Sequence, residues 1–179
     1  QKADIERLSG VSEEDIKKGA EINQKLFAIL KKEKDNIKAE TKILETYRKI
    51  LADEKLQPQD IEKGVNQLKA SFGAQTYTWY RYFMITDPAV YWKKVKCPVL
   101  ALNGEKDLQV AADLNLPAIE KALNSGGNKN VKTVKLPELN HLFQHCKTGL
   151  PGEYGQIEET FSPEALKIIS DWILGLKVS

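Results

Sequence analysis

The chain has 179 residues, 41% apolar and 29% charged, which suits one domain, or a small one with an appendage, long enough to bury a core. Its 27 basic and 25 acidic residues leave a net charge of +2 and are interspersed along helical stretches, which marks neither a nucleic-acid surface nor a polybasic membrane surface. No apolar run approaches the ~18 residues that a membrane span needs, and no stretch reads as a signal peptide.

Residues 1–70 are helical in pattern. Ser12-Glu-Glu-Asp15 resembles a capping box, and Ile16, Ala20, Leu26, Phe27 and Leu30 follow on a broad apolar stripe. Acidic residues crowd the first turn and Lys31, Lys32 and Lys34 the end, as the helix dipole favours. A second helix is predicted from about Ala39 to Leu51, with Ile43, Leu44, Tyr47, Ile50 and Leu51 on one face. Gln57-Pro58-Gln-Asp60 opens a third, carrying Ile61, Val65 and Leu68.

Residues 71–95 hold Phe72, Tyr77, Trp79, Tyr80, Tyr82, Phe83, Tyr91 and Trp92. Aromatics beside Arg81 suit the stacking of bases or sugars. Trp79, Tyr82 and Phe83 share a helix face, however, and are expected to be core. Asp87-Pro88 ends that helix. Val99–Leu102 is a short apolar run started by Pro98, which reads as a strand buried on both faces. Asn103-Gly104 reads as the turn that stops it. A helix is predicted from about Pro117 to Asn124, with Ile119 and Leu123 inward and Ser125-Gly-Gly127 closing it. Val131–Leu136 is a second strand, so the region forms a βαβ unit. Gln144–Phe161 is read as a loop. Ser162-Pro163-Glu164 caps a last helix, whose Leu166, Ile169, Ile173 and Leu176 should cover the sheet.

Two cysteines do not make a disulfide framework. Cys97 starts the first strand and Cys146 follows the second, at opposite ends, about 17–20 Å apart, well beyond the ~7 Å that a bridge tolerates. No Cys-x-x-Cys pair suggests zinc. His141 and His145 have a spacing that a helix would place on one face, yet Leu142, Phe143 and Gln144 between them supply no acidic ligand. No metal and no cofactor is expected.

Asp107 and His141 both fall just past the carboxyl ends of the two strands, the edge where open α/β sheets build their sites. Glu105 and Asp113 compete with Asp107 for an acid role. The stretches Cys97-Pro-Val-Leu-Ala-Leu-Asn-Gly-Glu-Lys-Asp107 and Leu136-Pro-Glu-Leu-Asn-His141-Leu-Phe resemble the last third of an α/β-hydrolase, over residues 79–175. Within that family the chain most resembles bacterial carboxylesterases with a helical lid ahead of the acid-bearing strand. The resemblance implies that Asp107 is the acid and His141 the base of a Ser–Asp–His triad. It also implies that residues 1–70 form a lid and residues 71–179 the carboxyl-terminal part of the hydrolase core, a partial α/β fold. Periodicity alone suits a solvated helical hairpin equally well.

The family's Gly-x-Ser-x-Gly elbow is absent. Ser9, Ser12, Ser71, Ser125, Ser162, Ser170 and Ser179 all lie outside that frame. The chain is therefore expected to be a carboxyl-terminal piece of a serine hydrolase acting on small carboxylic esters, inactive alone. Its compartment, bacterial cytoplasm or periplasm and beyond, is left open. The competing reading is a non-catalytic helical and βαβ module that binds a protein partner. A homodimer through the exposed strand edge, with residues 97–103 at the interface, is also expected, because an unpaired apolar edge templates pairing with another chain.

Overall fold

The computed structural model describes residues 2–72 and 77–176. They form a mostly helical, mixed α/β protein with two compact units, Ser12–Thr86 and Gln1–Val11 with Asp87–Ser179. The side chains of Phe72, Tyr77 and Tyr80, and all of Ser179, lie outside the described residues. Among the described residues no helix is long and apolar enough to cross a membrane.

A short helix, α1 (Lys2–Leu8), precedes the first unit. That unit is a set of helices: α2 (Glu13–Lys32), α3 (Asn36–Asp53), α4 (Pro58–Phe72) and α5 (Tyr77–Ile85). Ser12 caps α2, its hydroxyl oxygen accepting the Asp15 N–H at 3.1 Å, which satisfies one of the donors orphaned at a helix start. Asp35 does the same for α3 through the Lys38 N–H at 2.9 Å, so that helix begins three residues before the predicted start. The predicted apolar faces do meet. Leu30 packs on Ile43 with Leu26, Phe27 and Leu68 around them, and Leu51 packs on Ile61 and Val65 beside Leu44 and Tyr47.

The aromatic stripe of α5 contradicts the expectation that it is core. Trp79 is 66%, Tyr82 54% and Phe83 62% exposed. The opposite face explains why. Buried Arg81 donates to the Lys34 carbonyl and to Asn36 Oδ1, each at 2.8 Å, and also to the Glu33 carbonyl, while Thr78 Oγ1 accepts from Asn36 Nδ2 at 3.0 Å. Thr78 and Arg81 are i, i+3 neighbours. Fastening that side to the α2–α3 turn leaves Trp79 and Phe83 facing out, stacked on one another at 5.5 Å.

The second unit carries α6 (Ala89–Trp92), β1 (Val99–Gly104), α7 (Ala112–Ser125), β2 (Val131–Leu136) and α8 (Pro163–Leu174). Here β1 and β2 pair in parallel, from Val99 opposite Val131 to Gly104 opposite Leu136, with α7 as the connection, as the βαβ pattern requires. Four readings need correcting. Strand β1 runs through Asn103 and Gly104 rather than stopping before them, and Val99–Leu102 are only partly buried, although Leu102 packs against the core that includes Ala165. Helix α7 starts five residues earlier than predicted and holds Pro117 inside it; Pro117 simply leaves the Asp113 carbonyl without its i+4 donor. Within the predicted loop, Pro151–Gln156 forms a 3₁₀ helix.

Ser162 caps α8 as expected, accepting from the Ala165 N–H at 3.4 Å. The inward face is displaced by one residue, however. Ala165 and Ile168 enter the core, whereas Leu166 and Ile173 are exposed. That core is Leu136, Leu139 and Ala165, lined by Leu102, Val134, Phe143, Phe161 and Ile168. Complete burial of Leu136 and Leu139 contributes about 2 kcal/mol each, and it lies directly beneath the segment that carries His141.

Candidate functional site

The turns that leave β1 and β2 are sewn together. Glu105 N–H donates to the Leu136 carbonyl at 2.8 Å and Lys106 N–H to the Leu139 carbonyl at 2.9 Å. Such close passage needs a glycine: a Cβ on Gly104 would lie 2.2 Å from the Leu139 oxygen and 2.6 Å from that of Asn140. Further on, Gly149 has φ +79° and brings its backbone against the Lys106 carbonyl, where a Cβ would lie at 2.0 Å. Lys106 Nζ donates to Glu138 at 3.0 Å and to the Cys146 carbonyl at 3.2 Å; the Glu138 carboxylate raises its pKa.

These turns bring Asp107 and His141 together. His141 Nδ1 lies 3.0 Å from Asp107 Oδ2. The acid side chain is 4% exposed and the imidazole 37%, so the acid is enclosed while the ring reaches the surface. Asp107 Oδ1 accepts the backbone N–H groups of Gln109 at 2.9 Å and Val110 at 2.8 Å. Oδ2 also accepts from Asn103 Nδ2 at 2.9 Å. Three donors besides the imidazole converge on one carboxyl group, which suits an ionised carboxylate, an acceptor only. His141 therefore donates from Nδ1, and Nε2 is the nitrogen that can take a proton from a reactant.

The His141 loop is built by Asn140, which is completely buried. Its Oδ1 accepts from the Leu142 N–H at 2.9 Å and the Gln144 N–H at 3.0 Å, and its Nδ2 donates to Gln144 Oε1 at 3.1 Å. Phe143 sits at φ 56° and stacks on Phe161 at 5.2 Å, pinning the loop onto the core. Across the site, Gln109 Nε2 donates to the Tyr154 hydroxyl at 2.9 Å, tying the acid's turn to the 3₁₀ helix.

The other candidates point elsewhere. Glu105 is exposed and accepts the Glu138 N–H at 3.4 Å; Asp113 pairs with Lys135 at 2.9 Å. Residues 141–145 form a turn rather than a helix, so His141 and His145 do not share a face. His145 bonds Glu159 instead, with Nδ1 at 2.9 Å and its backbone N–H at 2.6 Å. Among the described residues no cluster of three His, Cys, Asp or Glu could hold a metal. Cys97 and Cys146 are free thiols, and burial pushes the Cys146 thiol up, away from the thiolate that nucleophilic attack needs. Ser9, Ser71 and Ser125 donate their hydroxyls to carbonyls three or four residues back, while Ser12 and Ser162 cap helices.

The Glu159 carboxylate is held below its ordinary value of 4.5 by the His145 backbone N–H and imidazole. A depressed acid contributes stability that is complete above its ordinary value and is lost as pH falls through the folded value. The Glu159 carboxyl carbon should accordingly titrate with a midpoint under 4.5 by NMR. Glu159→Gln should make residues 147–158 more susceptible to protease at neutral pH. An unshifted midpoint would detach Glu159 from the loop.

The structure brings together Asp107 and His141, which the sequence placed at neighbouring strand ends, and surrounds them with Asn103, Asn140 and Gln144, to which the sequence reading gave no part in the site. The available signal was polar residues at the end of an apolar run and beside the histidine. No protein-family model, curated protein or solved structure matches the chain.

Proposed function

We propose that the chain supplies the acid and base of a Ser–Asp–His triad in an ester-cleaving serine hydrolase of α/β-hydrolase type. The observation that carries this reading is the 3.0 Å Asp107–His141 pair at the carboxyl ends of adjacent parallel strands. The Cys97–Asp107 and Leu136–Phe143 motifs support it. In this reading residues 1–70 act as the lid. His141 Nε2 takes the proton of a serine hydroxyl from outside residues 1–179 as its oxygen attacks the ester carbonyl, and returns that proton to the departing alcohol. Water then releases the acyl group by the same route in reverse order. Asp107 holds the tautomer and stabilises the imidazolium.

The chain alone should show no turnover of a short-chain nitrophenyl ester, because the nucleophile and its neighbouring oxyanion N–H groups are lacking. Turnover abolished by His141→Ala would place a nucleophile within these 179 residues and overturn the assignment. The coding sequence immediately upstream offers a direct test: a strand followed by Gly-x-Ser-x-Gly supports the reading, and its absence refutes it. The exposed Trp79–Phe83 face favours the second reading, a non-catalytic module that docks a protein partner.

The proposed homodimer rests on β1. Val99 donates to the Asn130 carbonyl, so Val99, Ala101 and Asn103 face β2 and, by alternation, the main-chain groups of Leu100 and Leu102 point to the other side, where no strand pairs among the described residues. A two-fold axis at Ala101 would set Leu100 opposite Leu102 of a second copy, antiparallel and self-complementary. Light scattering behind size exclusion should give twice the chain mass. A monomer mass at high protein concentration would eliminate the edge-paired dimer.

A further inference from the structure

The Asp107 carboxylate has two oxygens with different tasks, and something must decide which one meets the histidine. The two backbone N–H groups that hold Oδ1 come from Gln109 and Val110, residues of the same turn as the acid. They fix one oxygen but leave the carboxylate plane free to swing about it. Asn103 removes that freedom. Its Nδ2 donates one hydrogen to Oδ2 at 2.9 Å and the other to the Val110 carbonyl at 2.8 Å. The Val110 residue thus meets the acid twice, directly through its N–H and indirectly through its carbonyl and Asn103, which closes a ring of hydrogen bonds around the carboxylate.

Asn103 stands on a rigid element, since it lies in β1 in register with Lys135 of β2, and it is itself 7% exposed. The position requires two hydrogens aimed at two acceptors from a short side chain. Leucine matches the shape without either donor. Aspartate matches it too but adds a third acceptor where two already converge, with a like charge beside Asp107.

We propose that Asn103 is the positioning residue of the acid–base pair: it aims Asp107 Oδ2 at His141 and so sets which imidazole nitrogen carries the hydrogen. The inference rests on the triad reading for its catalytic meaning but not for its test, which needs only the 179-residue chain.

In ¹⁵N-labelled protein at neutral pH, long-range ¹H–¹⁵N correlation should show His141 as the Nδ1–H tautomer. Both Asn103 side-chain hydrogens should exchange slowly. In Asn103→Leu and Asn103→Asp, with strand amides still protected, the His141 Nδ1–H should exchange at least about tenfold faster, the scale of one charge-assisted hydrogen bond. The Nε2–H tautomer should also appear. Wild-type tautomer and exchange in a folded variant would overturn the inference and leave the triad reading standing. Failure of both variants to fold leaves the wild-type side chain as judge: Asn103 hydrogens exchanging at the rate of an exposed amide would overturn it equally. An Nε2–H tautomer in the wild-type chain would overturn the Asp107–His141 pair itself, and the inference with it.

Discussion

Under the proposed triad, Asp107→Asn should lower kcat for ester hydrolysis by about 10⁴-fold when the chain is joined to the serine-bearing segment that the proposal requires, with little change in KM. The surrounding donors make the reason explicit. An asparagine at this position has one oxygen, and the Gln109 and Val110 N–H groups that now hold Oδ1 would claim it. Its NH₂ would then replace Oδ2 and face His141 Nδ1, which answers a donor only with a lone pair. The imidazole hydrogen would move to Nε2, the nitrogen that must accept the serine proton. The same NH₂ would also leave the Asn103 Nδ2 donor without its acceptor. An unchanged kcat would transfer the acid role to Glu105, Asp113 or a residue outside this chain.

Gly104→Ala should destabilise the second unit by about 3 kcal/mol or more, measured by urea unfolding, and should displace the His141 loop. The obstacle is backbone: the new methyl would meet the Leu139 and Asn140 carbonyl oxygens, which no rotamer change can move aside. Gly127→Ala provides the control. That residue has φ +87° but open space around it, so it costs only the left-handed strain of about 1–2 kcal/mol. A Gly104→Ala variant no worse than Gly127→Ala would mean that the two turns are looser than their hydrogen bonds imply.

What could be read in the sequence was what local chemistry determines. Ser12 and Ser162 announced their helices because capping is an interaction over three residues. The meeting of Asp107 and His141 was legible because strand ends follow from apolar runs, and βαβ topology then places those ends side by side. The rest depended on distant partners. Spacing shows that Trp79, Tyr82 and Phe83 share a face, but which face turns inward was decided by Arg81 reaching the Glu33 and Lys34 carbonyls. Asn103 looked like a turn residue because asparagine before glycine usually is one; its role as a buried donor depends on the turn after the strand folding back over it. On α8 the one-residue shift of the inward face reflects Ala165, whose small side chain permits close approach to Leu136 and Leu139 and carries little weight in an apolar count.

Among the described residues β1 pairs with one strand, β2, which governs how its amides exchange. Its amides belong to two populations that alternate along the chain. Those of Val99, Ala101 and Asn103 face β2, and deuterium can reach them only when the two strands separate. Those of Leu100 and Leu102 face the unpaired side and need no such opening. Residue-by-residue exchange along six residues therefore records the occupancy of that side, as an alternation of slow and fast amides that fills in whenever a strand settles there, whether from a second copy or from another segment.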